Sequence, residues 1–168
     1  AHCVAFASHR TRGPCLSTRH LDALLDPQSV VVIGASSRAG SLGATVWRNL
    51  RAGTFKGAVY AVNPKYRRLD GQVVFGRVED LPAPADLALL CTPAHTVAGL
   101  IEQLGRSGTR AAVVLTSGLD ATQHQAMRAA AQVHGLRLLG PGGVGVLSPH
   151  IGLNAGIAHT DAAAGELA

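Results

Sequence analysis

Gly34, Gly40 and Gly43 fall within the run Gly34-Ala35-Ser36-Ser37-Arg38-Ala39-Gly40-Ser41-Leu42-Gly43, directly behind the β-branched stretch Val30-Val31-Val32-Ile33. The spacing is G-x5-G-x2-G, and Ser36, Ser37 and Ser41 add hydroxyl donors. Residues of these types, placed between a strand and a helix, suit the holding of an anion. Glycine lets the backbone approach a phosphate closely, and the first N–H groups of the helix face it, with a dipole contribution of about 0.3–1 kcal/mol. The bare alternative is a tight strand-to-helix turn that holds nothing.

A second feature follows the next apolar run. Ala58-Val59-Tyr60-Ala61-Val62 ends in Asn63-Pro64-Lys65 and carries no acid. A site for NAD places Asp or Glu about 20 residues beyond the glycine loop, on the ribose 2′-hydroxyl. Lys65 stands there instead, one of two lysines in a chain with thirteen arginines. A point charge at a strand terminus meets a terminal phosphate well, so the pair of features points to a ligand with an additional phosphate. Arg67 and Arg68 are placed to assist. A solvated loop charge is the plainer reading of Lys65 taken alone.

Cys91-Thr92-Pro93-Ala94 closes a third apolar run. Thr92 suits a helix N-cap and Pro93 the first helical position, which accounts for both structurally. Cys91 reads as a buried strand residue rather than a nucleophile, because nothing beside it in sequence lowers a thiol pKa. His95 is a lone histidine in the first helical turn. The other histidines are scattered without ligand spacing, which supports no metal site. No nucleophile elbow, kinase signature or Walker A motif occurs.

These residues need elements to hold them. Leu21–Leu25 reads as a short helical turn. Strands are expected at 29–33, 58–62, 87–91, 111–115 and 136–139, with a weaker extended piece over 71–78. Helices are expected at 41–52, 94–104 and 122–134. In the first of these, Leu42, Val46 and Leu50 recur every four residues, and Gly53 supplies a stop. Strands alternating with helices predict an α/β fold, a Rossmann-like doubly wound parallel sheet of about five main strands with helices on both faces. Further strands are expected after Leu147. Ligands in such sheets bind beyond the carboxyl ends of the strands. Those ends are Gly34-Ala35-Ser36-Ser37, Asn63-Pro64-Lys65, Cys91-Thr92-Pro93-Ala94, Thr116-Ser117-Gly118 and Gly140-Pro141-Gly142-Gly143. Most are small, polar or rich in Gly and Pro, as a long thin ligand across the sheet edge requires.

Composition agrees. The 168 residues are 47% apolar and 15% charged, which suits a sheet covered on both faces. The net charge of +5 is partly local, since Arg10, Arg12 and Arg19 contribute three of it within an acid-free tail. The rest lacks the basic and aromatic interleaving of a nucleic-acid surface. No apolar run reaches the 18 or more residues of a membrane helix. Three cysteines, Cys3, Cys15 and Cys91, without a C-x-x-C pair fit a reducing compartment and a cytoplasmic setting. Residues 1–20 read as a flexible N-terminal extension or a cloning remnant.

From Leu21 onward the chain resembles the N-terminal CoA-binding domain of NDP-forming acyl-CoA synthetases, and more distantly the succinyl-CoA synthetase alpha subunit. The resemblance is carried by Leu24-Leu25-Asp26-Pro27-Gln28-Ser29-Val30, Gly34-Ala35-Ser36, Asn49-Leu50, Val62-Asn63-Pro64-Lys65, Asp86-Leu87-Ala88, Thr92-Pro93-Ala94, Leu138-Leu139-Gly140-Pro141 and Gly152-Leu153-Asn154-Ala155. It looks most like the bacterial proteins that join this synthetase-like module to a GNAT protein lysine acetyltransferase. The resemblance implies CoA or acyl-CoA as ligand. The loop of Gly34, Ala35, Ser36, Ser37, Arg38 and Ser41 would serve its phosphates, and Val62, Asn63, Pro64 and Lys65 its adenosine 3′-phosphate end. Cys91, Thr92, Pro93, Ser117, Gly118 and Pro141 would line the path of the nucleotide and pantetheine. The implied partners are a phosphohistidine-bearing domain and an ATP-grasp domain, so residues 21–168 are expected to be one CoA-binding domain cut before the next. The family reads Gly-Pro-Asn-Cys or Gly-Pro-Asn-Ser where this chain has Gly140-Pro141-Gly142-Gly143, which favours binding of CoA without turnover. Alternatives are a free-standing CoA-binding regulatory module and an NADP-binding oxidoreductase domain.

Overall fold

The computed structural model describes residues 18–158 and Gly165. The expected extension lies outside that range up to residue 17, as do Cys3, Cys15 and residues 166–168. In chain order the elements are α1 (Leu21–Leu25), β1 (Ser29–Ile33), α2 (Leu42–Ala52), β2 (Ala58–Val62), β3 (Arg68–Leu69), β4 (Gln72–Phe75), β5 (Leu87–Leu90), α3 (Val97–Ser107), β6 (Ala111–Val114), α4 (Ala121–His134), β7 (Arg137–Leu139), β8 (Gly145–Ser148) and β9 (Leu153–Gly156). No helix among the described residues is long and apolar enough to cross a membrane.

Seven strands form one sheet in the order β3-β4-β2-β1-β5-β6-β7, and β8 pairs with β9 in a separate antiparallel hairpin. Every neighbour in the large sheet is parallel except β3, which runs antiparallel to β4. The fold is therefore the expected Rossmann-like sheet with two strands more than anticipated. One is β4, within the weak stretch at 71–78. The other is β3, joined to β4 through Asp70-Gly71 at φ 48° and 79°. Two successive positive φ values in a two-residue link make a tight hairpin whose twist matches its strands.

The chain order sets where a crevice opens. From β1 it moves outward through β2 to β4, then returns to β5 on the other side of β1. The gap between the carboxyl ends of β1 and β5 is the switch point, where diverging loops open a crevice.

Side-chain alternation covers both faces of the sheet. Val30 and Val32 face Ala23, Leu24, Val46, Trp47 and Leu50, so α1 and α2 lie on one face. Val31 and Ile33 face Val97, Ile101, Leu104, Met127 and Ala131 from α3 and α4 on the other. The hairpin joins the α2 side, where Asn49 Nδ2 donates to the Gly156 and Ala158 carbonyls, each at 2.9 Å.

Helix α3 starts later than expected, at Val97, after a 3-10 turn over Ala94–Thr96. Thr92 caps no backbone N–H there. Its hydroxyl instead lies 3.0 Å from Thr96 Oγ1, whose single hydrogen goes to the Pro93 carbonyl at 2.7 Å.

The amino edge is fastened by Asp86. Its carboxylate accepts from the Gln28 amide at 2.9 Å, the Ser29 amide at 3.2 Å and Arg110 Nη2 at 2.6 Å. Burial pushes this carboxyl up, but the hydrogen bonds from Arg110 and Gln28 outweigh it and hold the group below the ordinary carboxylate value.

Candidate functional site

The glycine loop leaves β1 at the switch point. Gly34 has φ +90°, and a Cβ there would lie 2.6 Å from the carbonyl oxygen of Cys91, the residue just beyond the neighbouring β5. Only glycine combines that conformation with that approach. A Cβ on Gly43 would lie 1.9 Å from the Gly34 carbonyl oxygen, so the first turn of α2 rests directly on the loop. Ser41 caps α2. Its Oγ accepts from the Ala44 amide at 3.2 Å and donates to the Arg38 carbonyl at 2.8 Å, which commits this hydroxyl to the loop itself. Ala35 is buried, Ser36 half-buried, and Ser37 and Arg38 exposed.

The segment after β2 is tied to this loop. Asn63 Nδ2 donates to the Ala35 carbonyl at 2.8 Å, and Asn63 Oδ1 accepts from the Lys65 amide at 2.9 Å. Asn63 is thus a brace between the two segments. Val62 supplies its carbonyl to the Gly34 amide at 2.8 Å while its side chain lies in the core. Pro64 and Lys65 are left exposed at the edge. The first acid beyond β2 is Asp70, and its Oδ2 is taken by Trp47 Nε1 at 2.8 Å. With that acid engaged, the groups left at this end are the exposed Lys65 and the serine hydroxyls of the loop, a set that suits a phosphate.

Tyr66 is the residue that sequence reasoning missed. Its ring packs, partly buried, against the core cluster on the α2 face of the sheet, and its Oη lies 3.2 Å from Ser36 Oγ. Hydrogen bonding with the Ser36 and then the Ser37 hydroxyl lowers its phenol pKa below the ordinary tyrosine value, although burial opposes it. The only hint in the sequence was an aromatic residue next to Lys65.

Beyond the switch point the loops brace one another. Thr116 Oγ1 donates to the Thr92 carbonyl at 2.6 Å, and the Gly142 amide donates to the Thr116 carbonyl at 2.9 Å. Ser117 and Gly118 are exposed, Pro93 likewise, and Pro141 is half-buried after a cis Gly140–Pro141 bond. Burial pushes the Cys91 thiol up to about 12, so it stays protonated and is no nucleophile. The sheet order sets the loops of Lys65, Gly34, Thr92, Ser117 and Pro141 side by side. At about 4.8 Å per strand, this line is about 19 Å long. Two hollows, lined by Gln28, Phe55, Lys56 and His150 and by Thr54, Leu147 and Asn154, lie at the opposite, amino edge.

Residues 28–149, the stretch that contains all these loops, match the family described as the CoA binding domain. The chain belongs to that family. This CoA-binding domain is 36% identical over 141 residues to an ADP-forming acetate–CoA ligase I of Archaeoglobus fulgidus, covering 80% of the chain and 20% of the ligase. It is 32% identical over 158 residues to the alpha subunit of the ADP-forming acetate–CoA ligase I of Pyrococcus furiosus, covering 88% of the chain and 34% of that subunit. Among solved structures it resembles an acetyl-coenzyme A synthetase 1 of Ca. Korarchaeum cryptofilum in complex with phosphate and ADP. That match has a TM-score of 0.80 at 33% identity, over 84% of this chain and 32% of that one. The CoA-binding domain therefore spans about a fifth to a third of the relatives it matches.

Proposed function

We propose that the carboxyl edge holds CoA along the line of loops, with its 3′-phosphate at Lys65 and its pyrophosphate at the Gly34–Ser37 loop and the N-terminus of α2. The pantetheine then runs over Thr92-Pro93 and Ser117-Gly118 toward Pro141. The observation that carries this reading is the brace at Asn63, which holds the exposed Lys65 at a fixed place beside the phosphate loop. CoA supplies the thiol that becomes acylated; the residues of this domain bind and orient it. Gly34 and Gly43 allow the close backbone approach, and Lys65 meets the terminal phosphate.

The parent in this reading is an NDP-forming acid–CoA ligase, whose phosphohistidine-bearing and ATP-grasp domains act on the CoA presented here. The acetate–CoA ligases among the relatives support it. A cytoplasmic setting goes with it. A second reading joins the domain to a GNAT acetyltransferase in which the ligase-like half only senses acyl-CoA. It is favoured by Gly142, where φ is +71° and a Cβ would meet nothing within 4 Å, so no side chain replaces the asparagine amide that the family carries. The reading frame beyond this domain separates the two parents.

Lys65→Ala is the test of the placement. CoA affinity is expected to fall about tenfold to a hundredfold, the loss of one charged hydrogen bond of about 1.5–3 kcal/mol. Dephospho-CoA, which lacks the 3′-phosphate, is expected to bind the variant and the wild type alike. An equal loss for both ligands would place the 3′-phosphate elsewhere.

A further inference from the structure

Ser41 has no hydroxyl hydrogen to offer a ligand, because it is spent on the Arg38 carbonyl. Ser36 is different. Its Oγ accepts from the Arg38 amide at 3.0 Å and lies 3.2 Å from Tyr66 Oη. A serine hydroxyl has one hydrogen and two lone pairs. The amide can only donate, so it fills one lone pair, and two arrangements remain. If Ser36 donates to Tyr66, its own hydrogen is spent, and the one left for a ligand anion is the phenolic hydrogen of Tyr66. If Tyr66 donates, both Ser36 lone pairs are filled and its hydrogen is free to point out of the loop.

We infer that Tyr66 is a positioning residue, donating its phenolic hydrogen to Ser36 so that Ser36 donates its own to a phosphate oxygen of CoA. The inference rests on the placement of the CoA pyrophosphate at the glycine loop. Tyr66 is fitted to this role by its anchoring. Its ring is held against the core on the α2 side, and Asn63 ties the start of its segment to Ala35. The hydroxyl therefore reaches Ser36 from a fixed direction. An anion held by the glycine loop meets Ser36, a residue of that loop, and so favours the arrangement in which Ser36 keeps its hydrogen for it, which costs little because only two hydroxyl rotors turn.

The test is a calorimetric titration of CoA and dephospho-CoA into the wild type, Tyr66→Phe, Ser36→Ala and the double variant, with thermal melts in parallel. Phenylalanine keeps the ring and its packing. Tyr66→Phe is expected to weaken CoA about three- to tenfold and Ser36→Ala about tenfold. The double variant is expected to bind no more weakly than Ser36→Ala, because Tyr66 acts only through Ser36. The Tyr66→Phe penalty should be the same for dephospho-CoA, which retains the pyrophosphate. A merely structural tyrosine would lower the melting temperature without this coupling. Wild-type affinity in Tyr66→Phe, a Tyr66→Phe penalty larger than that of Ser36→Ala, multiplying penalties in the double variant, or a penalty confined to CoA would each overturn the relay while leaving CoA binding intact. Failure of the wild type to bind CoA would overturn the placement and the relay together.

Discussion

Gly43→Ala is expected to lower the melting temperature by about 6–12 °C and to weaken CoA binding with it. The reason is steric. The added Cβ would overlap the Gly34 carbonyl oxygen at 1.9 Å, and the obstacle is backbone at both ends. No rotamer relieves such a contact, so α2 must move off the loop. Overpacking of this kind costs about 3 kcal/mol at the upper end of its range. In the proposed placement the displaced helix carries the N–H groups that face the phosphate, which is why affinity is expected to fall along with stability. Calorimetric melting and CoA titration on the same preparation check both effects. A variant that melts and binds like the wild type would show that α2 does not rest on the loop.

The second large effect is at the other edge of the sheet. Asp86→Ala removes the acceptor of the Gln28 and Ser29 amides and leaves Arg110 with only the exposed Asp22. The loss of these hydrogen bonds is expected to destabilise the domain by about 3 kcal/mol. The pH dependence follows in sign. The folded-state value of Asp86 is depressed, so the group stabilises the fold above its unfolded value of about 3.9 and this contribution disappears as pH falls through the lower folded value. Denaturant unfolding between pH 7 and pH 3 should show wild-type stability falling below about pH 4, with a shallower fall in Asp86→Asn. Equal acid limbs in the two proteins would contradict the role of Asp86. Glu102, also lowered through His134 and Arg106, remains in both and supplies a shared background.

Most of the sheet was legible in the sequence because its central strands are buried on both faces. β1 and β2 stand at the expected limits, and β5 and β6 end one residue earlier, since continuous Val, Leu and Ala runs mark parallel strands. β3 was not legible. A two-residue strand has no period to detect, and only the Asp70-Gly71 turn and its pairing with β4 define it. The expected start of α3 at Ala94 was early because Pro93 suits a helix start, yet Thr96 bonds back to Thr92 and Pro93 and holds the first turn in a tighter form.

The site was legible as a set of loops and less so as roles. Gly34, Gly43 and Lys65 announce themselves by residue type against the strand ends. Asn63 stood among the ligand-facing residues, whereas its amide spans Ala35 and Lys65, a bond between segments 28 residues apart. Tyr66 carried no more than the hint of an aromatic residue beside Lys65, since its part depends on a hydroxyl 30 residues away. Both depend on the crossover from β1 to β2 bringing distant segments together.

The most direct test of the central claim, that this sheet edge is built for CoA, is calorimetric titration of the wild-type domain with CoA, dephospho-CoA, NADPH and NADH. CoA is expected to bind most tightly, with dephospho-CoA weaker by about tenfold to a hundredfold through loss of the contact at Lys65. Tighter binding of NADPH than of CoA would contradict the account and assign the glycine loop and Lys65 to a dinucleotide.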